Sequence, residues 1–514
     1  MTDLFGGSPN NQPLTDRDVQ LLDTTLRDGE QAPGVSLSPD EKAEIAAALD
    51  SAGVSTIEAG SACTGDGERA TIRRVADLDV DARVTSFARG VQSDIDLALD
   101  CGVDGVNLVV PASDRHVEGK VGTSRDDVVS TTTDLVEYAT DHGLWVEVIG
   151  EDGSRADLDF LERLARATHD AGADRFCFAD TVGYTSPERA HEAVSRLAEL
   201  GPTSTHTHDD LGLAVTNALA SVAAGADLVH ATVNGVGERA GNVALEEVAI
   251  ALDHCYGVET AETTALYDLA QTVARATDVH LPPNKAVVGE NAFAHESGIH
   301  TDGTLKDEQM YEPYPPEKVG RERRLVLGKH TGRAGAKAAL EEHGVEVDDE
   351  ELQAVVARVQ RLAERDKRVT DADLLAIAED VQGRERESRR VELLEVTATS
   401  GGRTPTASVR LRVDDEERVA SGTGDGPVDA AVTAVRNALH DNAHTRLESY
   451  HVDAITGGTD AVVTVEVEMA RDDRSVTSAA TDADITRASV EAMVDALDRL
   501  LVVDSADEPA VADD

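Results

Sequence analysis

Cationic residues are scarce in this sequence. Lys and Arg together number 47 against 99 Asp and Glu, a formal net charge of -52 over 514 residues. A field of that sign repels nucleic acid and an anionic membrane surface, so neither is an expected partner. The acid is spread through strongly patterned segments, which argues against disorder as its cause. Because the cations are mostly Arg, the balance reads as a halophilic composition, suited to a salt-rich cytoplasm whose counterions screen self-repulsion. Cysteine is sparse too: Cys63, Cys101, Cys177 and Cys255 are widely separated and contain no C-x-x-C. That excludes a disulfide framework and fits a reducing cytosol. No stretch approaches about 18 consecutive apolar residues, so no membrane span is expected. The opening "MTDLFGGSPNNQPL" lacks the basic region and apolar run of a signal peptide. Aromatics are only 3%, yet the 40% hydrophobic content is enough for a core. A chain this long should divide into two or three units.

What is abundant is alternation. From Val19 to about residue 280, short apolar runs ("VQLLD", "STIEAG", "RVTSF", "DGVNLVV", "LWVEVIG", "DRFCFAD", "TSTHTH", "DLVHATVNG") alternate with amphipathic helical segments such as "DLDFLERLARATHDAG". The helical segments open on acidic or capping residues and many close on Gly. Eight such units over roughly 260 residues match a (β/α)8 barrel, an α/β fold, better than an open doubly wound sheet. The expected layout is a flexible N-terminus over 1–16, the barrel over 17–280, linker subdomains over 281–390, a C-terminal α+β domain over 391–502 and a disordered acidic tail over 503–514.

Polar residues gather at the ends of the predicted strands, where such a barrel opens. Asp28 follows the first, Glu58 ends the second and Glu151 follows the fifth. Asp180 and Thr181 end the sixth, His206 and His208 the seventh, and Asn234 the eighth. His206 and His208 are two apart on a strand and therefore share a face. Two imidazoles and one carboxylate make a common ligand set, with Asp28 the natural third member; nitrogen and oxygen donors without thiolate suit Mn, Zn or Mg. Plainer readings exist for single residues. Arg27 is placed to pair with Asp28, Glu151 to favour a helix start, and His300 to cap a turn.

"LLDTTLRDGEQAPGVSLSPDEK", "HTHDDLGLAV", "VNGVGERAGNVALEEV", "NAFAHESGIHTDG" and "LGKHTGR" together resemble the 2-isopropylmalate synthase family, whose relatives are citramalate and homocitrate synthases. The resemblance covers essentially the whole chain. It implies a cytoplasmic acyltransferase running a Claisen-type condensation of acetyl-CoA with a 2-oxoacid. It assigns Asp28, His206, His208 and Asn242 to a divalent metal, Arg27 to the developing alkoxide, and Glu151 with His300 to proton transfer. It also implies that His300 and Tyr311 reach in from a neighbouring subunit, making a homodimer whose active site is completed by the partner chain. Arg27, Asn107 and Thr181 are expected at the 2-oxoacid. Two positions depart from the pattern: Asn107 stands where relatives usually have His, and Ile149 where they usually have Ser.

After Val391 the texture changes to alternating strands, arranged as two copies of strands followed by a helix. This resembles the family's regulatory domain, where an end-product amino acid inhibits; a dimerisation domain without ligand is the alternative. Leucine-route 2-isopropylmalate synthase is the leading reading, with (R)-citramalate synthase of the isoleucine route as the alternative. "IEAGSACTGDGE" reads less like the homocitrate branch. A metal-dependent aldolase-type lyase and a catalytically silent amino-acid sensor are the readings from other classes.

Overall fold

The computed structural model describes residues 17–307, 310–364, 369, 371–382, 390–399, 404–413, 416–439, 445–454, 463–471 and 474–502. The segments expected to be a flexible N-terminus and an acidic tail lie outside the described residues.

Eight parallel strands close on themselves: β1 Gln20–Asp23, β2 Thr56–Ser61, β3 Arg83–Arg89, β4 Gly105–Pro111, β5 Trp145–Glu151, β6 Arg175–Asp180, β7 Thr203–Thr207 and β8 Leu228–Ala231, with β1 paired to both β2 and β8. Between and after them run α1 Pro39–Ser51, α2 Asp66–Ala76, α3 Gln92–Cys101, α4 Arg125–Asp141, α5 Leu158–Asp170, α6 Pro187–Ala198, α7 Ala214–Ala224 and α8 Leu245–Ala251. The (β/α)8 expectation holds. Local chemistry starts the helices where the sequence says it should. Ser38 and Glu41 form a capping box on α1, Ser124 and Asp127 one on α4, and Asp157 and Ser186 cap α5 and α6.

The outer strand faces pack on the helices through Leu21, Ile57, Val106, Val146 and Phe176, all fully buried. The inward faces carry polar side chains as well, and Glu58, Thr85, Asn107, Glu147, Ser204 and His230 are fully enclosed. The chain's single Trp, Trp145, opens β5. Its carbonyl oxygen leaves Gly105 of β4 no room for a side chain, since a Cβ there would stand 2.6 Å away. The Arg83 guanidinium lies over the indole at 4.6 Å.

The chain divides into two compact units. One runs through Phe293 and takes in Pro313–Arg323; the other holds Ala294–Glu312 and everything from Arg324 on. The stretch read as linker subdomains is therefore shared between them. Arg321 explains the return to the first unit: its guanidinium donates to the carbonyls of Gly289 and Glu290 and lies 4.8 Å from the Tyr267 ring, on α9 Leu266–Thr277.

In the second unit, β9 Ala294–His295 pairs with β10 Arg324–Leu325, and α10 Gly298–Lys306 follows β9. Helices α11 Arg333–Glu342, α12 Asp349–Ala363 and α13 Asp371–Val381 share a core of Leu327, Leu340, Val355 and Leu374. The C-terminal repeat is then explicit. β11 Val391–Thr399, β12 Thr406–Val413 and β13 Glu416–Thr423 form one antiparallel sheet followed by α14 Pro427–Leu439. β14 Thr445–Ala454, β15 Val463–Arg471 and β16 Arg474–Asp482 form another, followed by α15 Ile485–Val502. The first strand of each copy even breaks register at the matching place, between Leu393 and Glu395 and between Leu447 and Ser449.

Candidate active site

After β1 the chain winds tightly, because the Thr24 carbonyl accepts from the backbone N–H of Arg27, Asp28 and Gly29. That turn sets Arg27 and Asp28 side by side at the barrel mouth. His206 Nε2 lies 3.3 Å and His208 Nε2 3.7 Å from the same oxygen, Asp28 Oδ2. The two rings meet edge-on, 4.9 Å between centroids. His208 is oriented by its other nitrogen, Nδ1, which lies 3.2 Å from the Asp180 carbonyl and so directs Nε2 at the carboxylate.

The electrostatics keep this trio ready to ligate. Burial opposes ionisation of Asp28, but the Arg27 guanidinium and the imidazoles override it and hold the carboxyl well below its ordinary range. Burial also lowers both imidazoles, His208 to about 4, so they stay neutral and keep a lone pair free. Asp28 Oδ2 is buried with no hydrogen-bond partner. So is Oδ1 of Asn242, whose backbone bridges to His208. Orphaned buried oxygens beside two neutral imidazoles fit a divalent cation.

Arg27 is held from behind. Its Nε donates to Glu58 Oε2 at 2.5 Å, Nη1 lies 3.2 Å from Asp28 Oδ1, and the guanidinium sits 4.7 Å over the Phe87 ring. The expected pairing with Asp28 is thus real, but the shorter contact is to Glu58. Asn107 does not reach the cavity. It is fully buried and donates its amide to Glu58 Oε1 at 2.7 Å and Thr85 Oγ1 at 3.3 Å, and so supports the partner of Arg27.

An open-mouthed cavity of about 220 Å³ gathers the remaining groups. Arg27, Asp28, His206, His208, Glu151 and Thr181 line its polar side, and Phe87, Val109, Ile149 and Ala179 form an apolar wall. Glu151 accepts from Lys120 Nζ at 2.6 and 2.9 Å and lies 2.9 Å from His116 Nδ1, two neighbours that sequence reasoning missed. Thr181 Oγ1 accepts from the Asp152 N–H at 2.8 Å.

Two strand-end residues serve the scaffold instead. Asp180 caps the turn after β6 by accepting from the N–H groups of Tyr184 and Thr185. Asn234, at φ 63°, donates to the Ala270 carbonyl of α9. The glycines of "NGVGERAGN" fold that loop on itself: Gly237 lies so close against the Asn242 amide that a Cβ there would overlap it.

A further group lies deeper in the barrel. Glu147, Cys177 and His230 are fully buried with ligand atoms within 4.8 Å of one another. Here His230 Nε2 is already 2.9 Å from Glu147 Oε2, and Ser204 donates to Oε1 at 2.5 Å. The signal was available: Glu147 and Ser204 are two residues before Ile149 and His206, and so share their inward face.

His300 and Tyr311 belong to the second unit, where their rings stack at 4.3 Å. Both are exposed, Tyr311 by 42%. The "LGKHTGR" segment buttresses this helix: Gly298 N–H donates to the His330 carbonyl at 3.0 Å, and the Gly332 Cα stands 2.9 Å from where a Gly298 Cβ would be.

Residues 18–273 match the HMGL-like family, 287–367 the homocitrate synthase post-HMGL domain-like family, and 368–501 the LeuA allosteric (dimerisation) domain. A Methanothermobacter thermautotrophicus protein provisionally named (R)-citramalate synthase is 52% identical over 94% of this chain and 98% of its own. A similarly named Methanosphaerula palustris protein is 50% identical over 94% of this chain and 97% of its own. A Methanocaldococcus jannaschii 2-isopropylmalate synthase is 45% identical over 96% of both. The chain belongs to the 2-isopropylmalate and citramalate synthase family. It is an acyltransferase that condenses acetyl-CoA with a 2-oxoacid, as other members of this synthase family do. Among the described residues, no helix is long and apolar enough to cross a membrane.

Proposed function

We propose that this synthase uses pyruvate and makes (R)-citramalate. The carrying observation is the apolar wall. Ile149, standing where the family resemblance leads one to expect Ser, joins Phe87 and Val109 in the cavity's apolar lining, against which this reading seats the 2-oxoacid side chain. A branched residue there leaves space for a methyl group at the expense of an isopropyl group. The relatives provisionally named (R)-citramalate synthase, at 46–52% identity, support the same choice. The leucine-route reading, with 2-oxoisovalerate as substrate, is kept by the 45% identical 2-isopropylmalate synthase.

In this reading Asp28, His206, His208 and Asn242 hold a divalent cation (Mn, Zn or Mg), which when bound supplies Lewis-acid polarisation of the ketone. Thr181 and Arg27 receive the 2-oxoacid. Glu151 takes the proton from the acetyl methyl group, and the resulting carbanion attacks the ketone carbon. Arg27, steadied by Glu58, stabilises the oxygen that becomes negative. The partner's His300 and the partner's Tyr311 complete proton transfer in a homodimer; their exposure and mutual stacking support that role. Water then cleaves the thioester and frees CoA. The duplicated C-terminal domain takes an end-product amino acid as inhibitor.

The test is CoA thiol release from acetyl-CoA in molar KCl with Mn²⁺, across pyruvate, 2-oxoisovalerate and 2-oxoglutarate. Pyruvate should give the highest kcat/KM, and Ile149→Ser should move preference toward 2-oxoisovalerate about tenfold, the scale of small side-chain discrimination. Preference of the unmodified enzyme for 2-oxoisovalerate would instead establish the leucine route.

A further inference from the structure

We propose that Lys42 is a positioning residue for Arg27, acting from outside the cavity. The proposal rests on the reading above, in which Arg27 stabilises the alkoxide. Lys42 is one of the largest fully enclosed side chains in the protein, only 1% exposed, and it is a cation on a barrel helix. Its Nζ lies 2.7 Å from Glu30 Oε2 and 2.9 Å from Glu68 Oε1.

These two carboxylates lead to the two halves of the Arg27–Glu58 pair. Glu30 sits on the short turn Gly29–Gln31 that directly follows Arg27 and Asp28, and its other oxygen accepts from the Leu37 N–H at 3.0 Å, closing the loop. Glu68 sits on α2, and its carboxylate fills the place of a side chain at Gly60, where a Cβ would overlap Glu68 Oε1. Gly60, at φ 154°, lies where β2 loses register with β3, between Glu58 and Ser61. One buried ammonium therefore ties down both the loop that presents Arg27 and the strand end that presents Glu58. Their contact is 2.5 Å long, so a relative shift of about 1 Å stretches it to the limit of a hydrogen bond. Removing the ammonium would leave two carboxylates facing each other and push those segments apart. Displacement of a catalytic group by about 1 Å costs on the order of 100-fold in rate.

The experiment uses the full-length, metal-loaded enzyme. Lys42→Met should lower kcat roughly 10- to 100-fold, change the 2-oxoacid KM less than about threefold and leave Mn²⁺ affinity by calorimetry intact, while Lys42→Arg restores most of kcat. In a Glu58→Gln background, Lys42→Met should cost less than about twofold more, because both act on the same contact. A kcat for Lys42→Met within twofold of the parent, or losses that multiply fully with Glu58→Gln, would overturn the proposal. If Lys42→Met does not fold, Glu30→Gln takes its place in the same cycle: a sub-multiplicative loss with Glu58→Gln supports the proposal, and a parental kcat or a fully multiplicative loss overturns it. Arg27→Lys is the separate control: an unchanged kcat there defeats the alkoxide reading itself, whereas a low kcat beside a normal Lys42→Met defeats only this inference.

Discussion

Asp28, His206 and His208 at the barrel mouth and Glu147, Cys177 and His230 below them use similar residue types, are all buried, and each bring three ligand atoms within 4.8 Å of one another. His206 and His230 are themselves neighbours, with ring centroids 5.4 Å apart. The two groups nevertheless differ in spacing and access, although Glu147 Oε2 and both His230 nitrogens are buried without a hydrogen-bond partner just as Asp28 Oδ2 is. At the mouth the imidazole nitrogens stand 3.3 and 3.7 Å from the carboxylate, a spread that admits an ion, and the group lines a cavity. Below, imidazole and carboxylate approach to 2.9 Å, Ser204 takes the other oxygen, and the group is fully enclosed. Burial and Glu147 push the Cys177 thiol well above its ordinary value, which keeps it protonated beside the carboxylate. Residue type and clustering do not separate a metal site from a polar core. Spacing and access do.

The comparison can be broken by variants in each group. The largest effect is expected at the mouth: His208→Ala should lower kcat by more than about 1,000-fold, the scale of losing ligand-fixed charge stabilisation, with the far-UV spectrum unchanged. Removal of metal by a chelator should match that loss in the parent, and Mn²⁺ should reverse it only in the parent. Next comes Glu147→Gln. It should destabilise the barrel by about 3 kcal/mol through the stranded His230, while metal analysis still finds one ion per chain. A fall in bound metal with retained stability would make the lower group a ligand set and collapse the distinction. Smallest is Cys177→Ala, which removes a sulfur packed on Ile149 and Ala179 and should cost about 1 kcal/mol with no change in metal content. A second ion, present in the parent and lost in this variant, would refute the view that the lower group is closed.

Much of this arrangement is legible in the sequence. Alternation of apolar runs and capped helices gives the barrel, and the two-residue spacing of His206 and His208 gives a shared face. Strand-end position is a coarser guide. Asp180 and Asn234 stand at strand ends because tight turns need carboxylate caps and tolerate Asn at positive φ, which is the same demand a ligand site makes of residue type. Asn107 is misplaced by sequence reasoning for a related reason: sequence gives the face of a strand but not its depth. It lies behind the cavity lining and holds Glu58. Glu147 and His230 escape notice because "WVEVIG" and "DLVHAT" look like apolar strands with an isolated polar residue. Lys42 gives no sign at all, since a Lys on an amphipathic helix is ordinarily solvated.

The placement of Trp145 has a practical reach. It is the chain's only indole and it is seated at the start of β5, between Gly105 and the Arg83 guanidinium. Tryptophan emission therefore reports on the barrel alone, and the second unit is optically silent in that channel. Denaturation followed by emission and by circular dichroism in parallel can resolve the melting of one unit from that of the other in the intact chain, with no probe attached.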